Sequence, residues 1–282
     1  MTVLRSLMPR SLLVAGALAL AGASVADAST STNWSGYVAH GTKFRKVTAL
    51  WTQPTVTCTP GSATYSAAWV GLGGYSLSSQ ALEQIGTEAD CTTSGRQVSA
   101  AWWELVPSPS RGIRMTVAPG DVMAGRVTVS GDQVTMTLTD RTRHKTFTKK
   151  VTDHTIDVTS ADWILEAPSE CGGNGFQCQP LTLANFGSET FARAQAEKAT
   201  GASGAITSSL WQTAEITLSP SNGGRRFAAN TGVVQGESAP SALTNSGTSF
   251  SLAYSPLAPV TSQPEPAFVT RLSSTAGAST GG

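Results

Sequence analysis

The sequence predicts an all-β protein, either a sandwich or a barrel, on three observations. Runs of β-branched and aromatic residues recur along the chain, and Gly, Pro or Ser bounds each run. The segment 126–140, RVTVSGDQVTMTLTD, alternates apolar and polar residues on both sides of SGD, which predicts a hairpin with one buried face. Helical periodicity is scarce, because only SETFARAQAEKA (188–199) offers a candidate for a short helix or a loop. Many short strands with regular turn signals are typical of sandwiches and barrels.

The same pattern predicts further strands and one sheet edge. The other strand-like runs are FRKVTALWTQPTV (44–56), TYSAAWVGLGG (64–74), QVSAAWWELVP (97–107) and SLWQTAEITLS (209–219). The basic run TRHKTFTKK (142–150) could bind a polyanion, but lysines of this kind more often protect a solvated edge strand from unwanted pairing. We therefore expect an edge strand there.

The first 28 residues predict a secretory signal peptide. Arg5 and Arg10 precede the apolar run SLLVAGALALAGASV (11–25), and ADA (26–28) fits the small-x-small cleavage pattern. The alternative, a membrane anchor, needs about 20 apolar residues, and this run is shorter. We therefore expect cleavage after Ala28, secretion, and no membrane segment in the mature protein.

The rest of the chain is predicted to form one folded domain, 29–254, followed by a tail. Residues 255–282 are rich in Pro, Ser, Gly and Thr, a composition that cannot bury a core, so this segment is predicted to be disordered. The whole chain has a formal net charge of +1, and its charged residues make up only 13%. Arg5, Arg10 and Asp27 give the predicted signal peptide +1, which leaves the mature chain near neutral (1 − 1 = 0). Neither a nucleic acid nor an acidic surface is therefore an implied partner.

Four cysteines in a secreted chain can pair in three ways. Cys171 and Cys178 bracket GGNGFQ, a loop rich in Gly that closes easily, and their pairing leaves Cys58 for Cys91. A zinc site is the alternative, but the cysteines have no CxxC spacing and no histidine lies close to them in sequence. We therefore predict two disulfides and no metal site.

Several familiar hydrolase signatures are missing from the predicted domain. It has no G-x-S-x-G elbow, which leaves a Ser-His-Asp hydrolase without local support. Pairing of all the cysteines excludes a Cys-His nucleophile, and the aspartic-peptidase signatures Asp-Thr-Gly and Asp-Ser-Gly do not occur. Carboxylates and amides in apolar strands are the chemistry that remains.

Two glutamates lie in such strands. In ADWILEAPSEC (161–171), alternation places Asp162 and Glu166 on one face and Trp163 on the other. In AAWWELVP (100–107), Glu104 shares its face with Trp102. Aromatic rings beside a carboxyl group in a groove raise its pKa and form a substrate surface. From composition alone, however, both glutamates are expected to be solvated.

Eight segments in order carry a resemblance to a known family. They are NWSGY, AWVGLGG, ALEQIGTEADC, AAWWELVP, APGD, ADWILEAPSECGGNGFQC, LTLANF and FSLAY, and they extend from position 33 to about 254. Together they resemble the glutamic peptidases, the eqolisin family of secreted acid proteases.

The resemblance implies a fold, an activity and a site. The fold would be an antiparallel β-sandwich of two large sheets, concanavalin- or jelly-roll-like. The activity would be hydrolysis of protein or peptide substrates by a monomer without cofactor or metal. The glutamine and glutamate of the family's catalytic pair match Gln84 and Glu166, and Trp69 and Glu104 match positions that line its groove.

The chain also departs from the family pattern. Gly73 and Ala100 stand where the family has Asp, which argues against a strongly acidic optimum. Two other functions remain open from the sequence. One is a non-catalytic sandwich that binds glycans or peptides through its tryptophans. The other is a glycosidase that uses Glu104 and Glu166 as its acid and base.

Overall fold

The structure is a computed structural model and describes residues 27–171, 178–219 and 236–257. Within these ranges all 18 regular elements are β-strands, as the alternation in the sequence predicts. None of the described residues forms a helix that is long and apolar enough to cross a membrane.

The strands, in chain order, are β1 (Asp27–Ser31), β2 (Trp34–His40), β3 (Phe44–Thr52), β4 (Ala67–Gly73), β5 (Leu82–Cys91), β6 (Gln97–Val106), β7 (Arg111–Ile113), β8 (Val122–Ser130), β9 (Gln133–Asp140), β10 (Lys145–Thr152), β11 (Ser160–Glu166), β12 (Ser169–Cys171), β13 (Cys178–Pro180), β14 (Ser188–Lys198), β15 (Ser203–Ala205), β16 (Gln212–Leu218), β17 (Glu237–Pro240) and β18 (Phe250–Ser255).

Sixteen of these strands form one large sheet that folds over into two layers. Its order is β10-β9-β8-β3-β14-β18-β17-β16-β2-β11-β4-β5-β6-β7, with β15 added to β14 and β1 paired in parallel with β16. The other pairings in this sheet are antiparallel, and β12 and β13 form a separate pair. Because β3, β8 and β9 pack on β4, β5 and β11, the two halves of the sheet face each other. The predicted antiparallel sandwich is confirmed.

Strand β14 joins the layers and corrects the prediction of a short helix or a loop at 188–199. Its first part pairs with β18 and its second part with β3, and the register shifts between Ala192 and Gln195. Arg193 at this shift has a φ of 52°. The bulge adds a residue and interrupts the strict alternation, so the buried positions Phe191, Ala194 and Ala196 do not follow the simple period of a strand.

The layers enclose the main core. Trp51 and Trp163 are fully buried in it, and each satisfies its indole N–H across the interface. Trp51 Nε1 donates to Thr87 Oγ1 at 2.8 Å, and Trp163 Nε1 donates to the carbonyl of Thr48 at 2.9 Å. These buried donors fix how one layer sits on the other, because leaving one unpaired would cost free energy.

Two local predictions are also confirmed. The predicted hairpin is β8 followed by β9, with Gly131 in its turn at a φ of 55°. The basic run becomes β10, which ends the sheet and pairs only with β9 among the described strands.

One predicted disulfide is confirmed directly. Cys58 and Cys91 are bonded and tie the segment before β4 to the end of β5. Cys178 is disulfide-bonded, and it lies opposite Cys171 in the β12–β13 pair. The side chain of Cys171 lies outside the described residues.

Replacing Cys58 and Cys91 together by Ala is expected to lower the free energy of unfolding by roughly 2–4 kcal/mol, because the bond restricts the unfolded chain. The bridged residues are 33 positions apart, so a long loop is released when the bond is absent. Urea unfolding of the double variant beside the wild type measures this loss. An unchanged midpoint and slope would contradict the prediction.

The predicted signal peptide and tail fall mostly on residues 1–26 and 258–282, which lie outside the described residues. Strand β1 begins at Asp27, and β18 ends at Ser255. The cleavage site and the start of the tail therefore stay predictions.

Candidate active site

Five neighbouring strands, β2-β11-β4-β5-β6, carry the predicted site on one face of the sheet. Alternate residues of these strands, such as Val70 and Trp163, enter the core between the layers. The other set points away from that core and includes Trp34, Trp69 and Trp102. We call this side of the five strands the outer face.

The strand register brings Gln84 and Glu166 to the outer face. Glu166 in β11 is opposite Ala67 in β4, and Gln84 in β5 is opposite Gly71, four residues further along β4. Paired residues project to the same side of a sheet, and so do residues separated by an even number of positions. The two side chains therefore lie diagonally across β4. No direct hydrogen bond joins them in the described part of the chain.

Three N–H donors hold the half-buried carboxyl group of Glu166. Asn33 Nδ2 donates to Oε1 at 2.9 Å, and Trp69 Nε1 donates to Oε2 at 2.9 Å. The indole of Trp34 also donates to this carboxyl group. Such a set of donors fixes the orientation of the side chain and stabilises its charged form.

Burial nevertheless raises the pKa of Glu166 to about 8. Loss of solvent is the largest cause, and the negative charge of Glu104 adds to it, while the three N–H donors oppose the rise. Glu166 is thus a carboxyl group that exchanges a proton near neutrality, as a general base and acid should.

Gln84 is buried and is held by the neighbouring strand. It lies directly opposite Glu104, and its Nε2 donates to Glu104 Oε2 at 2.6 Å. Burial raises the pKa of Glu104, against the effect of the hydrogen bonds from Gln84 and from the backbone of Ser110. The structure therefore brings Glu104 into contact with Gln84, a contact that the sequence did not predict.

Trp69 occupies the centre of the outer face. Its ring meets that of Trp34 edge to face, with centroids 4.9 Å apart. On its other side is Gly86, where a Cβ atom would lie 2.4 Å from the carbonyl oxygen of Ala68 and 2.6 Å from Trp69 Cβ. Glycine at this position lets β4 and β5 approach, which keeps the Trp69 indole beside Glu166.

The two positions that depart from the family pattern have carboxyl groups next to them. Gly73 has a φ of 86°, and a Cβ atom there would lie 2.7 Å from Cβ of Asp157, so no side chain fits. Asp157 comes from the segment before β11 and accepts a hydrogen bond from the Gly74 backbone at 3.4 Å. Ala100 pairs with Glu88, whose pKa is raised by burial.

Sequence analysis did not identify Asn33 and Trp34 as hydrogen-bond donors to Glu166. Both lie in NWSGY, which supported the resemblance without assigning either residue a role. The pairing of Trp34 with Glu166 depends on β2 lying beside β11, and these strands are far apart in the chain. In the sequence, only the NWSGY motif could have pointed to these two residues.

The arrangement places a carboxyl group and a neutral amide donor on one face of the sheet, on either side of the strand that carries the buried Trp69. A carboxylate can take a proton from water, and an amide N–H can stabilise an oxyanion. No covalent intermediate is required by such a pair.

Known proteins resemble this chain in sequence and in fold. The model of the Peptidase A4 family matches residues 32–234. Scytalidopepsin B from Scytalidium lignicola is 28% identical over 165 residues, which cover 57% of this chain and 61% of that protein. The chain thus matches less than two thirds of that relative's length.

Solved structures share the fold. A scytalido-glutamic peptidase with a transition state analog inhibitor matches with a TM-score of 0.64 and 24% identity, over 79% of this chain and 98% of that one. SCP-B, a member of the eqolisin family of peptidases in complex with the tripeptide Ala-Ile-His, matches with a TM-score of 0.55 and 21% identity over the same shares.

Proposed function

Since the chain belongs to the Peptidase A4 family, we propose that it is a secreted glutamic endopeptidase whose catalytic pair is Gln84 and Glu166. The observation that carries the proposal is their common outer face, with Glu166 held by three N–H donors and Gln84 presenting an amide. The inhibitor and the tripeptide bound to the two structural relatives support a peptide as the substrate class.

In the first step, the Glu166 carboxylate takes a proton from a water molecule, whose oxygen forms a bond to the scissile carbonyl carbon. The carbonyl oxygen becomes an oxyanion, and Gln84 Nε2 donates a hydrogen bond to it. Because the amide is neutral at any pH, it serves as a donor in acid as well as at neutrality.

In the second step, protonated Glu166 gives its proton to the leaving nitrogen as the carbon–nitrogen bond breaks. The products are a carboxylic acid and an amine, and Glu166 returns to its starting form. Trp69 is fully buried, so its part in this mechanism is to hold the Glu166 carboxyl group through its indole N–H.

The rate of peptide hydrolysis should be limited at low pH by protonation of Glu166 and at high pH by loss of fold stability. Activity requires ionised Glu166, whose pKa is raised, so the rate should increase from strongly acidic solution towards neutrality. Other carboxyl groups are buried in the fold, among them Glu189 with a pKa raised to about 8. The folded protein loses stability when these groups ionise at higher pH. We therefore propose a bell-shaped profile whose optimum lies near neutral pH, less acidic than the family resemblance implies.

Replacing Trp69 by Phe is expected to move the acidic limb of the kcat/KM profile to higher pH. Phenylalanine keeps a ring at this position but cannot donate to Glu166 Oε2, so the carboxylate loses a stabilising partner. A hydrogen bond to a charged group contributes roughly 1.5–3 kcal/mol, which corresponds to a shift of about one to two pH units. The matched control is Trp51→Phe in the core between the layers, and an acidic limb that stays in place in Trp69→Phe would contradict the assignment.

Digestion of casein by the purified mature protein tests the proposed function. The assay runs from strongly acidic to neutral pH, in the presence of pepstatin, a serine-protease inhibitor and a chelator. Cleavage that resists all three supports a glutamic peptidase. A folded protein that cleaves nothing but binds peptides or glycans would instead support a binding module, and cleavage of glycosidic bonds would support the glycosidase hypothesis.

A further inference from the structure

Among the buried polar atoms of the outer face that have no hydrogen-bond partner within the described part of the chain, two are complementary. One is the acceptor Gln84 Oε1, and the other is the indole donor Trp102 Nε1. Both side chains are almost completely buried, with exposed fractions of 4% for Gln84 and 9% for Trp102. Buried donors and acceptors are nearly always paired, so two complementary unpaired atoms in one place require an explanation.

The register puts these two residues within reach of each other. Gln84 is opposite Glu104, and Trp102 precedes Glu104 by two residues on the same face of β6. Trp102 itself is opposite Gly86, which contributes no side chain. Diagonal neighbours of this kind are about 7–8 Å apart at Cα, a distance that aromatic and long side chains bridge.

We propose that Trp102 is a positioning residue whose indole N–H donates to Gln84 Oε1 in the active enzyme, while Glu104 accepts from Gln84 Nε2. This role rests on the proposed function, in which Gln84 stabilises the oxyanion. Catalytic hydrogen bonds are often long or poorly aligned in a free enzyme and tighten on substrate binding, so a small side-chain rotation completes this one.

The two contacts together allow one orientation of the amide. If the amide of Gln84 turned over, its NH2 group would face the indole N–H and its oxygen would face the Glu104 carboxyl oxygen. With Glu104 ionised, two donors would then face each other at the indole and two acceptors at the carboxyl group, and both contacts would be unfavourable. With the amide held in place, one Nε2 hydrogen binds Glu104 and the other is free for the oxyanion.

The first test is the indole signal of Trp102 in a ¹H–¹⁵N correlation spectrum. The signal is assigned by its loss in Trp102→Phe, or by backbone-based assignment if that variant does not fold. In Gln84→Met, we expect this signal to move upfield and its hydrogen to exchange faster, while the other indole signals keep their positions. A Trp102 signal that is the same in wild type and Gln84→Met, with and without a bound peptide inhibitor, would overturn the proposal.

The second test is kinetic and uses the neighbouring tryptophan as its control. Trp102→Phe is expected to lower kcat by about 5- to 10-fold, as for the loss of one hydrogen bond, with little change in KM. Trp103→Phe, on the other face of β6, should leave kcat unchanged. A rise in KM alone would overturn the positioning role, because it would assign Trp102 to substrate binding.

The two tests separate this proposal from the proposed function. If the wild type cleaves no peptide, the function fails, yet the spectrum still reports whether Trp102 and Gln84 are bonded. If the wild type cleaves peptides and the spectrum shows no response to Gln84→Met, only the role of Trp102 fails.

Discussion

Glu166→Gln is expected to lower kcat/KM for peptide hydrolysis by roughly 10²–10⁴-fold, because the amide cannot take a proton from water. Glutamine has nearly the same shape, and its NH2 group can pair with Asn33 once the Asn33 amide turns its oxygen towards it, so the fold should persist. Gln84→Ala should cost roughly 10²–10³-fold through loss of the oxyanion donor. Initial rates on a fluorogenic peptide, with circular dichroism of each variant, measure both effects.

Exposed residues of the same types provide the controls. Glu170→Gln changes a solvated glutamate in β12, and Gln133→Ala changes a solvated glutamine in β9. Both control variants should cleave the peptide like the wild type. Wild-type rates from a folded Glu166→Gln or Gln84→Ala protein would remove that residue from the mechanism.

The second large effect is a loss of stability as the pH rises. Burial raises the pKa of Glu83 to about 9, of Glu189 to about 8 and of Asp90 to about 7. A carboxyl group whose pKa is higher in the folded than in the unfolded state contributes stability that is fully present below the unfolded value. That contribution is lost as the pH rises through the folded value. The melting temperature should therefore fall steadily from mildly acidic to alkaline solution.

Glu189→Gln isolates one of these groups. Glu189 is 1% exposed and accepts hydrogen bonds from the backbone N–H groups of Thr52 and Thr190. Glutamine resembles the protonated acid but cannot ionise, so it avoids a buried charge at high pH. Near pH 5 the variant should be no more stable than the wild type, and above about pH 8 it should be the more stable protein.

Melting temperatures of Glu189→Gln and the wild type, measured across this pH range, test the crossover. The exposed control Glu170→Gln should follow the wild type throughout. Parallel curves for Glu189→Gln and the wild type would show that Glu189 does not titrate with a raised pKa.

Alternation and turn signals were sufficient to predict the strands. The β8–β9 hairpin and the edge strand β10 follow from period-two patterns that span only a few residues. The pattern failed at β14, because a bulge at Ala192 and Gln195 changes the periodicity inside one strand. A bulge depends on which partners the strand has, and no local window contains that information.

The candidate site was predictable only in part for a similar reason. Gln84 and Glu166 could be identified because the segments around them resemble motifs of the family. Alternation correctly put Asp162 and Glu166 on one face. The partners of the pair come from other strands. Asn33 reaches Glu166 because β2 adjoins β11, and Glu104 reaches Gln84 because β6 adjoins β5 in this register. Such pairings are set by the whole sheet, so only the structure gives them.

A crystal structure of Glu166→Gln with an uncleaved peptide substrate tests the roles of Gln84 and Glu166 most directly. We expect the peptide to lie on the outer face, with its scissile carbonyl oxygen within hydrogen-bond distance of Gln84 Nε2. A water molecule should contact both the side chain at position 166 and the scissile carbon. A peptide whose scissile bond lies away from Gln84 and position 166 would contradict the Gln84–Glu166 mechanism.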